Sequence, residues 1–303
     1  MPIRALDRRR LLHALGLGGA ALACGRASAA VEGAAGAPIT QGYASSRVGQ
    51  VYYRMIRPAP GQQGLKTPLL CLHAGPGSSR NYLDLMPRMA TDRWVIAADT
   101  PGYGLSQRPA TPSTIADFAQ AASAVVDALG LGRIDVLGNH TSTATALELA
   151  RMRPGLVRRI VLNSALMYTP QERAERKAAQ IANATRDLSA AVDTIPARWR
   201  AFRQATAHQS EEQSWGRFWE VYRDPTHQDW GFVASYDYDF AATLAQTRAP
   251  VLILNPQDVL HDITARAAGK GPDVRIAELP WPGGTFDLHV DAVTQVIRAF
   301  LDT

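Results

Sequence analysis

Pro68-Leu69-Leu70-Cys71-Leu72 is a short, unbroken apolar run that stops in a turn of small residues, His73-Ala74-Gly75-Pro76-Gly77-Ser78-Ser79. A run this short with no polar alternation suits a strand buried on both faces. The same grammar recurs downstream. Residues 94–98 lead into Asp99-Thr100-Pro101-Gly102-Tyr103-Gly104-Leu105-Ser106, and residues 134–137 into Gly138-Asn139-His140-Thr141-Ser142, where a helix opens. Further apolar runs lie at 159–162, 251–254 and 274–277. Helical periodicity fills the intervals at 82–89, 115–129 and 143–152, and an amphipathic segment at 292–301 closes the chain. Buried strands alternating with helices predict an α/β protein with a mostly parallel sheet covered on both faces. Upstream, 39–44 and 50–57 read as an antiparallel pair.

One stretch breaks the rhythm. Residues 167–246 are rich in charge and aromatics, with helical spacing and no buried-strand signal. An insertion there predicts a helical cap over the sheet's carboxyl edge, where open α/β sheets bind ligands. Most of its aromatics are expected to form its own core. The chain therefore divides into 1–29, a core in two parts (30–166 and 247–303), and the cap at 167–246.

Composition narrows the function. The 303 residues are 46% hydrophobic and 19% charged, ample for a packed core, with a net charge of +5. Five arginines and one aspartate fall within residues 1–29, so the remainder holds 27 basic and 26 acidic residues, a net of +1. Nucleic-acid binders carry a basic patch on the folded body, so nucleic acid is disfavoured as a partner. The segment itself has the features of an export signal: Arg8-Arg9-Arg10 resembles a twin-arginine pattern, an apolar run covers 14–23, and Ala27-Ser28-Ala29 is an A-x-A site. That run is far short of the ~20 residues of a membrane span. The expected location is periplasmic or secreted, with no membrane association once the signal is removed. Cys24, after Ala21-Leu22-Ala23, is a weaker lipidation alternative. Without residues 1–29 only Cys71 is left, so no internal disulfide can form.

Taken together, His73–Gly77, Asp99–Ser106 and the turn at Gly138–Ser142 resemble the α/β-hydrolase superfamily, in particular its capped peptidase, esterase and C–C hydrolase branch. The similarity runs from about residue 38 onward. It implies that the small-residue turn at Ala74-Gly75 lets a backbone N–H approach a developing oxyanion, with Gly75 and Thr141 as donors. It also implies that Asp99 is structural and pins the turn that follows it.

The departure lies at the nucleophile. The family pattern is G-x-S-x-G on a sharp strand-to-helix turn, and here the aligned residue is His140. A slip of register would offer Thr141 or Ser142, but Ser142 would then have the bulky His140 where the turn demands a small residue. By the same resemblance Asp258, in Asn255-Pro256-Gln257-Asp258, takes the acid position. The expected loop histidine aligns with Thr285 in Gly284-Thr285-Phe286, and His289 lies four residues later. A small Thr285 would leave room for an imidazole reaching from position 140 to Asp258. The expectation is thus a His140–Asp258 base, with Gly75, Thr141, Ala74 and Thr285 around the substrate and His289 or Ser142 as weaker catalytic candidates. No close-spaced ligand pair such as H-x-x-x-H occurs, so neither a metal nor a cofactor is expected.

An oriented imidazole can take a proton from water or from a carbon or hydroxyl acid, and can itself be acylated. The leading expectation is an exported hydrolase of a small carbonyl compound (an ester, lactone or diketone). Base chemistry without hydrolysis, as in a lyase or isomerase, and a catalytically silent ligand-binding protein are the alternatives.

Overall fold

The computed structural model describes residues 38–59, 61, 65–184 and 186–303. The expected export signal lies outside them. The chain opens with strands β1 (Thr40–Ser46) and β2 (Gly49–Ile56), then alternates: β3 (Leu69–Leu72), α1 (Leu85–Met89), β4 (Val95–Ala98), α2 (Ile115–Ala128), β5 (Ile134–Asn139), α3 (Ser142–Met152) and β6 (Val157–Asn163). Five helices follow without a strand: α4 (Pro170–Ala182), α5 (Leu188–Ala205), α6 (Glu211–Tyr222), α7 (Trp230–Asp237) and α8 (Phe240–Gln246). The core then resumes with β7 (Val251–Asn255), α9 (His261–Ala265), β8 (Val274–Glu278) and α10 (Val290–Leu301).

The eight strands form one sheet in the order β1-β2-β4-β3-β5-β6-β7-β8. Pairing is antiparallel for β1–β2 and β2–β4 and parallel from β4 to β8. Because side chains alternate across a strand, Leu70 and Leu72 point to one face and join a core with Val136, Phe118 and Leu147 of β5, α2 and α3. Leu69 and Cys71 point to the other, beside Leu85 of α1 and Ile297 of α10. The unbroken apolar run is thus a strand sandwiched between helices. Burial raises the Cys71 thiol's pKa strongly, so it behaves as a small apolar residue.

The expected helix at 82–89 is shorter than its pattern. A 3₁₀ turn at Ser79–Tyr82 precedes α1, and Pro87 sits in that helix's first turn, where its missing N–H costs nothing. In the insertion, Phe218 is fully buried against Trp199, Phe202, Trp215, Trp219 and Tyr222. These aromatics therefore pack as the insertion's own core. The last two of the five helices return to the sheet, for Ala234, Phe240 and Leu244 belong to the main core. No helix of the described residues is long and apolar enough to cross a membrane.

At the amino end of the parallel strands lies an ion cluster. Arg93, wholly buried, pairs with Asp302 just after α10, with Asp92 at 3.3 Å and with Asp135 of β5 at 4.0 Å. Arg158 holds Asp135 through two hydrogen bonds of 2.9 and 2.7 Å.

Candidate active site

The carboxyl ends of β3, β4, β5 and β7 bring the expected residues to one edge. The turn after β5 is the sharpest. His140 has φ +48°, in the left-handed region that non-glycine residues rarely occupy. Its N–H donates to Asn163 O of β6 at 3.0 Å, so the sheet's ladder holds the residue in place. The crossing of strand into helix is so tight that a Cβ on Gly138 would lie 2.6 Å from Ser142 O and 2.9 Å from Thr143 Cα. Those are backbone atoms and cannot move aside. Gly138→Ala is expected to cost about 1–3 kcal/mol through overpacking, seen as a lowered thermal midpoint. An unchanged midpoint would show that the turn can relax.

From this turn the His140 ring reaches Asp258 on the loop after β7, with Nε2 to Oδ2 at 3.0 Å. Asp258 is fixed in turn, because its Oδ1 accepts from Leu260 N–H at 2.8 Å. Burial pushes the Asp258 carboxyl up, but the hydrogen bond and charge of His140 and the Leu260 N–H outweigh it, and the pKa falls below the ordinary carboxylate value. An ionised carboxylate only accepts, so Nε2 carries a proton and Nδ1 is the nitrogen whose lone pair is available when the ring is neutral. That is the tautomer of a base.

The other candidates separate clearly. Ser142 is buried and donates to His73 O at 2.5 Å, so its hydroxyl braces β3 against α3. His289 stacks on Trp281, with ring centroids 4.4 Å apart and planes 16° from parallel. Its ring forms no hydrogen bond among the described residues. Thr285 is buried on the β8–α10 loop. That loop is tied to the insertion through Asp287, whose carboxylate accepts from Gln209 at 2.6 Å and Arg217 at 2.9 Å. His289→Ala should therefore leave steady-state activity within about twofold, whereas Asp258→Asn, which corrupts the tautomer, should cost about 10²–10⁴-fold. Equal losses would show that His289 serves Asp258 in the working enzyme.

The expected pair of backbone oxyanion donors needs correction. Gly75 N–H is not open; it donates to Thr141 Oγ1 at 2.8 Å. The cause is the residue after the elbow, because a threonine there places a hydroxyl in front of the glycine. Thr141 N–H makes no hydrogen bond among the described residues. The Ala74 carbonyl accepts from the His73 ring, Nδ1 to O at 2.8 Å. His73 is wholly buried and accepts from Thr100 N–H through Nε2 at 2.9 Å, and burial lowers its pKa. It is a neutral link between the turns after β3 and β4.

Asp99 does pin the turn that follows it. Its carboxylate accepts from Ser79 N–H at 2.6 Å and Leu105 N–H at 2.8 Å. Gly104, at φ +54°, is required there, because a Cβ would lie 2.1 Å from Asp99 Oδ2. Two polar contributors carried no sequence signal. Asn163 donates to Asn139 at 2.9 Å beneath the elbow. Ser164, buried at φ +73°, makes no hydrogen bond of normal geometry among the described residues but lies close enough to Asp258 to help lower its carboxyl's pKa. A small cavity beside Thr141 and Ser142 is walled by Gly75, Tyr103, Thr145 and Gly231. Tyr103 seals it, its hydroxyl accepting from Gly231 N–H of the insertion at 2.7 Å.

Comparison with known proteins supports the fold. Residues 67–258 match the family model for the alpha/beta hydrolase fold. The chain belongs to the α/β-hydrolase family. Over 103 residues it is 40% identical to a 2-hydroxymuconate semialdehyde hydrolase of Pseudomonas sp. (strain CF600), covering 33% of this chain and 36% of that one. Over 132 residues it is 33% identical to a proline iminopeptidase of Clostridium botulinum, covering 42% and 44%. It thus spans less than half the length of these relatives. Among α/β-hydrolase structures, the enol-lactonase of Burkholderia xenovorans LB400 superposes with a TM-score of 0.68 at 17% identity, over 86% of this chain and all of that one. These relatives and this neighbour are themselves named as a hydrolase, a peptidase and a lactonase.

Proposed function

We propose that this α/β-hydrolase hydrolyses a small carbonyl compound (an ester, lactone or diketone) with His140 as its base. The observation that carries the reading is the 3.0 Å hydrogen bond from His140 Nε2 to Asp258, made from an elbow held at positive φ. In this scheme Nδ1 takes a proton from water as the oxygen adds to the carbonyl carbon, and Asp258 stabilises the imidazolium. The imidazolium then returns the proton to the leaving oxygen or carbon. The relatives' named substrates, a muconate semialdehyde among them, suggest an acyl or vinylogous acyl centre.

The test is turnover of a panel of aryl esters, enol-lactones and 1,3-diketones by the purified protein. Release of an acid together with an alcohol, enol or ketone, according to the substrate, is expected. Turnover without uptake of ¹⁸O from labelled water would instead favour lyase or isomerase chemistry. Binding without turnover would favour a silent ligand-binding protein, a reading to which the covered Gly75 N–H lends support. We propose further that residues 1–29 are removed on export. N-terminal sequencing of host-derived protein should begin near Ala30, and a start at Met1 or Pro2 would overturn that.

A further inference from the structure

Thr141 is nine-tenths buried and lines the cavity beside the elbow. Its oxygen accepts from Gly75 N–H at 2.8 Å. Its own proton has no acceptor among the described residues. A buried hydroxyl that accepts one hydrogen bond and gives none is an unspent donor, and accepting polarises its O–H for donation. Its backbone N–H is also unspent. Both donors of one residue therefore stand at the amino end of α3, where partial positive charge gathers.

We infer that the Thr141 hydroxyl, in place of Gly75 N–H, is the side-chain half of the oxyanion site, making Thr141 a catalytic residue that touches the substrate's carbonyl oxygen. The inference rests on the carbonyl-hydrolase reading above. When hydroxide formed from water adds to the carbonyl carbon, the C=O π pair moves onto oxygen. That oxygen accepts hydrogen bonds from Thr141 Oγ–H and Thr141 N–H, and the threonine proton stays on threonine. On collapse the pair returns and the leaving group departs with the proton held by His140. Gly75 N–H contributes indirectly, by fixing the hydroxyl's oxygen.

The competing reading makes the opposite forecast. If the hydroxyl merely covers Gly75, Thr141→Ala would uncover the ordinary pair of backbone donors and raise kcat, and Thr141→Val, whose methyl still covers Gly75, would leave kcat near wild type. Thr141→Val is expected to lower kcat by about 10²–10³-fold with KM little changed, the loss typical of one oxyanion donor. Thr141→Ser, which keeps the hydroxyl, should recover kcat to within a few-fold. A thermal midpoint for Thr141→Val close to wild type separates this from misfolding. A Thr141→Val enzyme as fast as wild type, or faster, would overturn the inference, as would a serine variant no better than valine. If wild type turns over nothing on the panel, the functional reading fails by itself. The donor assignment is then judged with 4-nitrophenolate as an oxyanion probe, followed by its absorbance shift. Binding about tenfold weaker in Thr141→Val and restored in Thr141→Ser upholds it. Equal binding by all three proteins, or none by any, sinks it.

Discussion

Alanine at position 140 should lower kcat/KM by about 10²–10⁴-fold, the usual contribution of a positioned acid–base group. The ring is the only titratable group that joins Asp258 among the described residues, and no neighbouring imidazole can substitute, since His289 is stacked on Trp281. Serine at 140 alone should do no better, having no base to activate it. Adding Thr285→His should change that. By the family resemblance position 285 faces the acid, and truncating His140 frees both volume and the Asp258 carboxylate for a new ring. The double variant His140→Ser with Thr285→His should then hydrolyse aryl esters faster than either single variant. Thr285→His in the wild-type background should instead crowd His140 and reduce activity. A double variant as slow as His140→Ser would show that the loop cannot present an imidazole. An alanine variant as active as wild type would end the case for His140.

The second large effect concerns stability. Asp302→Asn should cost about 3 kcal/mol, near the lower end of the range for breaking a buried pair, a fall in thermal midpoint of roughly 6–12 °C for a domain of this size. Arg93 is wholly buried and already leaves Nη1 without a hydrogen-bond partner, so losing the Asp302 charge leaves it, among the described residues, only Asp92 at 3.3 Å and Asp135 at 4.0 Å to offset its burial. Arg93→Met should be milder, because it removes that charge and fills its volume. The carboxylates it leaves behind keep Lys66, Arg298 and Arg158. The acid response follows. Burial opposes ionisation of Asp302, yet Lys66 and Arg93 outweigh it and hold the folded pKa below the model-compound value of 3.8. Its stabilising contribution is therefore complete above about pH 3.8 and lost as pH falls through the lower folded value. Calorimetry between pH 7 and 3 should show the difference between wild type and Asp302→Asn narrowing only at the acid end. A constant gap would remove the ion cluster as its source.

The fold was legible because buried strands leave mostly apolar runs, and each such run here became a strand, although the edge strand β8 exposes Arg275 and Glu278. The 3.0 Å meeting of His140 and Asp258 was anticipated from the helix after the elbow, which aligned without a gap, and from Asp258's place after the 251–254 strand. What stayed hidden was set by side-chain direction. Nothing in the string Gly138–Ser142 says that Thr141 turns its hydroxyl toward Gly75, or that Ser142 turns inward to His73. Asn139 and Asn163 lie 24 positions apart and meet only because β5 and β6 are neighbours. The break between Tyr82 and Leu85 was masked by continuous apolar spacing.

The fastening of Asp287 to Gln209 and Arg217 has a consequence for recombination. The loop that carries Thr285 takes part of its shape from the far side, from side chains on and before α6. Insertion and loop are thus joined through one carboxylate, and a change to either is felt by the other. A chimera that received another member's cap would bring no matching grip for Asp287, and its Thr285 loop would drift even with every core residue retained.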